Sequence, residues 1–112
     1  MTKYNRWEIW QANVRFEEGK GSKKRPVLIL SEDKCIVFSL KMTSHEARYK
    51  KLEGEYEIMK WQEAGLLKPT VVQCSKLLQL DESDINDLKY GRLTATDIIG
   101  LQAMLRFMNV DK

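Results

Sequence analysis

The chain has 112 residues, is 43% hydrophobic and 31% charged, and carries a net charge of +3 at pH 7. This size suits a single domain over residues 1–112, and the apolar share excludes a disordered polyelectrolyte. No apolar run approaches the roughly 20 residues needed to cross a bilayer, and the opening Met1-Thr2-Lys3-Tyr4-Asn5-Arg6-Trp7 lacks the apolar stretch of a secretion signal, so a cytoplasmic protein is expected.

In chain order, Glu8-Ile9-Trp10-Gln11-Ala12-Asn13-Val14-Arg15-Phe16 alternates, with Trp10, Ala12, Val14 and Phe16 on one face, as in a half-buried strand. Residues 17–24 are a polar loop holding Gly19 and Gly21. Residues 26–31 form a continuous apolar strand, whose Pro26 suits only a first or an edge position. A tight turn at Glu32-Asp33-Lys34 returns the chain as a strand over 35–40, so the first three strands make an antiparallel meander. Residues 45–53 are highly charged and read as loop. A short strand over 54–58 precedes one or two helical turns over 59–64, which Gly65 terminates.

Residues 70–74 form a strand after Pro69, and residues 75–80 extend it. A helical turn starts at Asp81-Glu82-Ser83-Asp84, with Asp81 and Asp84 as caps, and Tyr90-Gly91-Arg92-Leu93 reads as a breaker. Thr94 then stands three residues before Asp97, so a hydroxyl and a carboxylate meet the orphan amides of a helix start. Ile98, Leu101, Leu105 and Met108 follow at helical spacing, giving a helix that packs on the sheet. Antiparallel strands with segregated helices define a small, strand-rich α+β barrel.

The charge is unevenly placed. Residues 1–25 hold seven Lys or Arg against three Glu, whereas residues 80–87 hold four acids and no base. That asymmetry suits a polyanion-facing surface or a solvated charged face. The two cysteines, Cys35 and Cys74, lie in apolar segments, and with one histidine no zinc set assembles. Buried free thiols are expected.

The junction Lys20-Gly21-Ser22-Lys23-Lys24-Arg25 delivers a guanidinium to the mouth of the apolar strand at Pro26. The next strand ends in Met42-Thr43-Ser44-His45, so a hairpin brings two hydroxyls and the only histidine toward Arg25. A guanidinium converging with hydroxyls is a phosphate or oxyanion site; the plainer alternatives are a surface arginine, strand-end capping by Thr43 and Ser44, and a solvated His45. No serine has the surroundings of a nucleophile elbow, and the Gly19/Gly21 loop lacks nucleotide-binding spacing. Trp7, Trp10 and Trp61 are able to stack bases, though Trp10 belongs to the expected core.

Trp7-Glu8-Ile9-Trp10, the Gly/Lys loop, Lys24-Arg25-Pro26-Val27-Leu28-Ile29-Leu30, Met42-Thr43-Ser44, Gly65-Leu66, Lys68-Pro69-Thr70-Val71-Val72 and Gly91-Arg92-Leu93 occur in an order that resembles the MazF/PemK toxins of bacterial toxin–antitoxin systems, over about residues 7–109. The resemblance implies an SH3-like antiparallel barrel with short helices and a C-terminal helix, usually a homodimer. It also implies a metal-independent, cofactor-free endoribonuclease that cleaves single-stranded RNA through the RNA's own 2′-hydroxyl, restrained by a cognate antitoxin. By carry-over Arg25 neutralises the phosphorane and Thr43 holds a phosphate oxygen, while Lys20, Lys23, Lys24, Ser44, Gln73 and Lys76 bind RNA. Lys20 stands where many relatives have an acid, and Cys74-Ser75-Lys76 where several have an arginine, so the acid/base candidates are His45 and Glu18. The alternative function is a non-catalytic nucleic-acid-binding or gyrase-poisoning module on the same barrel.

Overall fold

The computed structural model describes residues 3–15, 21–33, 36–44 and 55–108. Six strands, β1 (Glu8–Arg15), β2 (Ser22–Asp33), β3 (Ile36–Ser44), β4 (Glu55–Glu57), β5 (Thr70–Asp81) and β6 (Ile85–Arg92), precede one helix, α1 (Ala95–Phe107). They form one antiparallel sheet in the order β4-β5-β3-β2-β1-β6. The fold is therefore α+β, with the expected meander of β1, β2 and β3 at its centre.

This sheet is rolled, and chain connectivity requires it. β5 and β6 lie four strand positions apart in the order, yet only the 3-10 turn Glu82–Asp84 joins them. Four spacings in a flat sheet amount to about 19 Å, beyond the roughly 14 Å that so short a link spans. Curvature brings Leu80 of β5 and Ile85 of β6 together with Trp10, Ala12, Val14, Val27 and Ile29 in a cluster inside the roll. Tyr4 joins them, its ring edge-on to Trp10 at 4.9 Å between centroids.

The opposite sheet face carries a second cluster, in which Ile9, Leu28, Val72 and Cys74 meet Leu101 and Leu105 of α1. The expected helical stripe is present: Leu101 and Leu105 are buried, and Ile98 and Met108 half-buried. Burial pushes the Cys74 thiol up to about 11, and its Sγ lies 3.6 Å from Met104 Sδ. Cys35 lies outside the described residues. No helix among the described residues is long and apolar enough to cross a membrane.

Several local expectations are corrected. Glu32 and Asp33 belong to β2, whose ladder with β3 runs to the pair Asp33–Ile36; charged side chains do not end a strand whose backbone stays paired. Residues 59–64 form hydrogen-bonded turns instead of a helix. Only Ala64 N to Lys60 O, at 3.1 Å, has α-helical spacing, before Gly65 N turns to Gln62 O. Gly65 does terminate the segment, at φ +94. β6 runs through the expected breaker because Gly91 meets Gly65 back to back. A Cβ at Gly91 would lie 2.1 Å from the Ala64 carbonyl oxygen, and one at Gly65 would lie 2.0 Å from that of Tyr90.

Two polar knots fasten the periphery. Glu8 is buried and accepts from Lys89 Nζ at 2.7 Å, Asn5 N at 2.9 Å and Trp10 Nε1 at 3.0 Å. Burial pushes its carboxyl up, but the Lys89 ammonium, the Asn5 amide and the Trp10 indole outweigh that and hold it at about 2. Trp7 adopts φ 74, in the left-handed region. Its N–H donates to Ile29 O at 2.8 Å, its carbonyl accepts from Leu93 N at 3.0 Å, and its indole is buried in the α1-side cluster.

Candidate functional site

One end of the sheet gathers most of the residues singled out from sequence. β1 and β2 pair with Ala12 opposite Arg25, Asn13 opposite Lys24 and Val14 opposite Lys23. Ala12 is fully buried, Arg25 is half-buried, and Lys23 and Lys24 are exposed. Arg25 thus lies within the β1–β2 ladder, three pairs in from its Ser22 end, on a strand anchored by the buried Val27, Leu28 and Ile29. A rigid strand beneath a cation limits the ordering needed when an anion binds.

The β2–β3 ladder ends at Val27 opposite Lys41, and Arg25 and Thr43 each lie two residues beyond that pair at the same end of the ladder. The paired register stops there, so Arg25 and Thr43 share one end of the sheet on neighbouring strands without being ladder partners. Thr43 is opposite Val71, and Ser44 is opposite Thr70. Val71 in turn faces Glu57 on β4, and Gln73 faces Glu55. Arg25, Thr43, Ser44 and Gln73 therefore come from three adjacent strands to one end of the sheet.

Lys76 lies away from that row. Between the pairs Leu40–Leu77 and Met42–Val72 the register shifts, so residues 73–76 bridge two registers and Lys76 falls at the far side of the irregular stretch. Lys20, Glu18 and His45 lie outside the described residues.

A cavity of about 370 Å³ opens beside this row, lined by Glu57, Ile58, Met59, Trp61, Pro69 and Thr70. Sequence reasoning placed Trp61 among the aromatics able to stack bases and missed Glu57 and Thr70 as its neighbours. The rim is held by hydrogen bonds: Ile58 N donates to Thr70 O at 3.1 Å, and Leu66 N to Trp61 O at 3.0 Å. Thr70 Oγ1 donates to Lys68 O at 2.8 Å.

Behind the cavity, Asp97 is fully buried near the start of α1. Its carboxylate accepts from Met59 N at 2.8 Å, Lys60 N at 2.9 Å, Tyr56 OH at 2.7 Å and Thr94 Oγ1 at 3.4 Å. The Tyr56 phenol is pushed well above its ordinary range by burial and by the adjacent Asp97 carboxylate. Thr94 was legible as the position where α1 begins, but its hydroxyl makes no cap bond to the helix amides and donates to Asp97 instead. That the same carboxylate clamps the turn carrying Trp61 was not legible, because its partners lie in a remote part of the chain.

A rolled antiparallel sheet backed by one C-terminal helix is the fold this chain shares with toxins of bacterial toxin–antitoxin pairs. Residues 5–108 match the family described as PemK-like, MazF-like toxin of type II toxin–antitoxin system, and the chain belongs to that family. Comparison with curated protein sequences finds no match.

Solved structures share the fold. A Mycobacterium tuberculosis toxin, MazF-mt6, is 22% identical with a TM-score of 0.64, over 92% of this chain and 99% of that one. A MazE–MazF complex from Deinococcus radiodurans is 17% identical with a TM-score of 0.68, over 100% of both chains. A mycobacterial endoribonuclease in complex with its cognate antitoxin is 14% identical with a TM-score of 0.69, over 96% of both.

Proposed function

We propose that this chain is a sequence-selective, metal-independent endoribonuclease toxin acting on single-stranded RNA in the cytoplasm, as a homodimer restrained by a cognate antitoxin. Its family supports the class, and the endoribonuclease and the MazE–MazF complex that share its fold support an RNA substrate and an antitoxin partner. The observation that carries the chemistry is Arg25 on a core-anchored strand, at the same end of the sheet as Thr43 on the neighbouring strand.

In the proposed reaction the 2′-oxygen of one nucleotide forms a bond to the adjacent phosphorus as the P–O5′ bond breaks. The products are a 2′,3′-cyclic phosphate and a 5′-hydroxyl. The 2′ proton passes to a base, for which His45 and Glu18 are the candidates, and the leaving O5′ takes up a proton. Arg25 binds the phosphoryl oxygens as negative charge accumulates, where its guanidinium makes paired charge-assisted bonds. Thr43 donates to one of those oxygens. Loss of one such donor in a desolvated site costs about 100- to 1,000-fold in rate. Lys23, Lys24, Ser44 and Gln73 position the strand.

The test is incubation of the purified protein with a long single-stranded RNA in chelator, with ends mapped by primer extension and cyclic phosphate identified by mass. Arg25→Ala should lower cleavage at least 100-fold with an unchanged melting temperature. Binding without new ends would replace this reading by the non-catalytic module, and undiminished cleavage by Arg25→Ala would remove that residue from the mechanism.

A further inference from the structure

We propose that the outward face of α1 is an interface between two copies of this chain, packed antiparallel about a two-fold axis beside Ala103. The inference rests on the homodimer of the reading above, to which it assigns a surface, and not on the cleavage chemistry.

The first observation is a helix that is apolar on both sides. Leu101 and Leu105 are buried against the sheet, as one face of a surface helix should be. The other face should be charged, yet the exposed residues of α1 are Ala95, Thr96, Ile99, Ala103, Arg106 and Phe107. Arg106 is the only charge among them. Ile99 is 69% exposed and Phe107 92%, and a helix that is apolar all round is ordinarily a covered one.

The second is the shape of that face. At helical spacing Thr96, Ile99, Gly100, Ala103 and Phe107 fall within about 100° of arc. Phe107 projects at one end. Toward the other lies a shallow notch floored by Gly100, where a Cβ would stand 2.6 Å from the Tyr56 hydroxyl. Met59 borders it, since its amide is bonded to Asp97 in the first turn of α1. Its side chain is also 69% exposed. Between the ring and the notch, Ala103 is small enough for a second helix to approach to about 8 Å between axes.

Self-complementarity selects the occupant. In an isologous pair, residue i meets j of the partner and j meets its i. Phe107 follows Gly100 by about 10 Å along the axis, with Ala103 beside the midpoint. An antiparallel copy centred there seats each Phe107 over the other's Gly100, against Ile99 and Met59, whose thioether suits an aromatic ring.

Charge agrees with that occupant. Antiparallel helices set the negative end of one dipole beside the positive end of the other. An acidic partner is drawn elsewhere, to the exposed Arg15, Lys23 and Lys24 on β1 and β2. Ile99, Met59 and Phe107 expose on the order of 400 Å² in each protomer. With the flanking surface the pair buries about 1,000 Å², the lower limit for a specific interface, so a dimer that dissociates in the micromolar range is expected.

The test is sedimentation velocity on the purified chain from about 1 to 200 µM, which spans such a dissociation constant. Wild type should show a monomer–dimer equilibrium and a melting temperature that rises with concentration. Phe107→Asp should weaken the dimer at least about 100-fold with unchanged circular dichroism, because the ring is almost wholly exposed in its own protomer. Under mild oxidation Ala103→Cys should form a disulfide with its mate across the axis, whereas Phe107→Cys should not, its mate lying about 10 Å along the helix. The unsubstituted chain in the same oxidant controls for Cys35 and Cys74.

A chain that stays monomeric at the highest concentration would overturn the interface while RNA cleavage stood. A dimer undisturbed by Phe107→Asp, or cross-linked by Phe107→Cys and not by Ala103→Cys, would overturn the placement on α1. A dimer with both expected signatures that leaves RNA uncut would overturn the ribonuclease reading and uphold the interface. Should Phe107→Asp fail to fold, the two cysteine variants decide the matter.

Discussion

Replacing Asp97 with alanine should destabilise the protein by about 3–5 kcal/mol. The carboxylate is fully buried, and three of its four partners lie within 2.9 Å, namely the Tyr56 hydroxyl and the amides of Met59 and Lys60. Hydrogen bonds to a charged acceptor contribute about 1.5–3 kcal/mol each. The lower figure applies here, because Met59 and Lys60 are exposed and water can reach their amides once the carboxylate is gone. Three such bonds give about 4–5 kcal/mol, and re-solvation lowers the sum. Against a total stability of about 5–15 kcal/mol, that is a severe loss.

Asp97→Asn keeps one acceptor but sets an amino group against donors, and should lose about 2 kcal/mol; Tyr56→Phe should lose about 1–2 kcal/mol. Urea titration followed by circular dichroism at pH 7 reads these differences, with the Asp97→Ala midpoint about 2 M below wild type for an ordinary denaturant slope. A loss below about 1 kcal/mol in Asp97→Ala would show that the turn over residues 59–65 is held by other contacts, and the clamp would have no energetic basis.

Further outcomes follow from two other places in the fold. Gly91→Ala sets a methyl 2.1 Å from the Ala64 carbonyl oxygen, so backbone must move and the melting temperature should fall by more than about 10 °C; a change under about 3 °C would refute the close approach. Gly65→Ala should be worse, since its φ of +94 adds about 1–2 kcal/mol of left-handed strain. Glu8 has its carboxyl lowered from the ordinary 4.5 to about 2. Its contribution is thus fully present above pH 4.5 and is lost as pH falls toward 2, amounting to about 3 kcal/mol. The stability gap between wild type and Glu8→Gln should be widest near pH 7 and shrink through that window, and parallel pH profiles would exclude the effect.

The sequence made some of this legible because local period and core contact coincide. Trp10, Ala12 and Val14 alternate and are buried, and Leu101 and Leu105 fall on the helical stripe that meets the sheet. Gly91 misled because composition alone presents a glycine after a tyrosine as a break. The cause of that glycine is a carbonyl at Ala64, reached only after the chain has folded. Asp97 was visible as a helix start, whereas its long-range partners Tyr56, Met59 and Lys60 were not. At the candidate site, hairpin logic brings Arg25 toward Thr43; the β2–β3 ladder is paired only as far as Val27–Lys41, two residues short of both. The cavity beside them depends on β5 delivering Thr70 to Ser44, a pairing between distant segments that no local pattern encodes.

Trp7 sets backbone conformation and packing against each other. Its backbone occupies a conformation that suits glycine, yet its indole fills the cluster between the sheet and α1. Replacement by glycine would relax the dihedral and open a void the size of a bicyclic ring. Restoring the ring in a different conformation would detach the segments it ties at Ile29 and Leu93. Each neighbour that packs against the indole adds to the loss on removing it, so few single substitutions at this position satisfy both the dihedral and the packing.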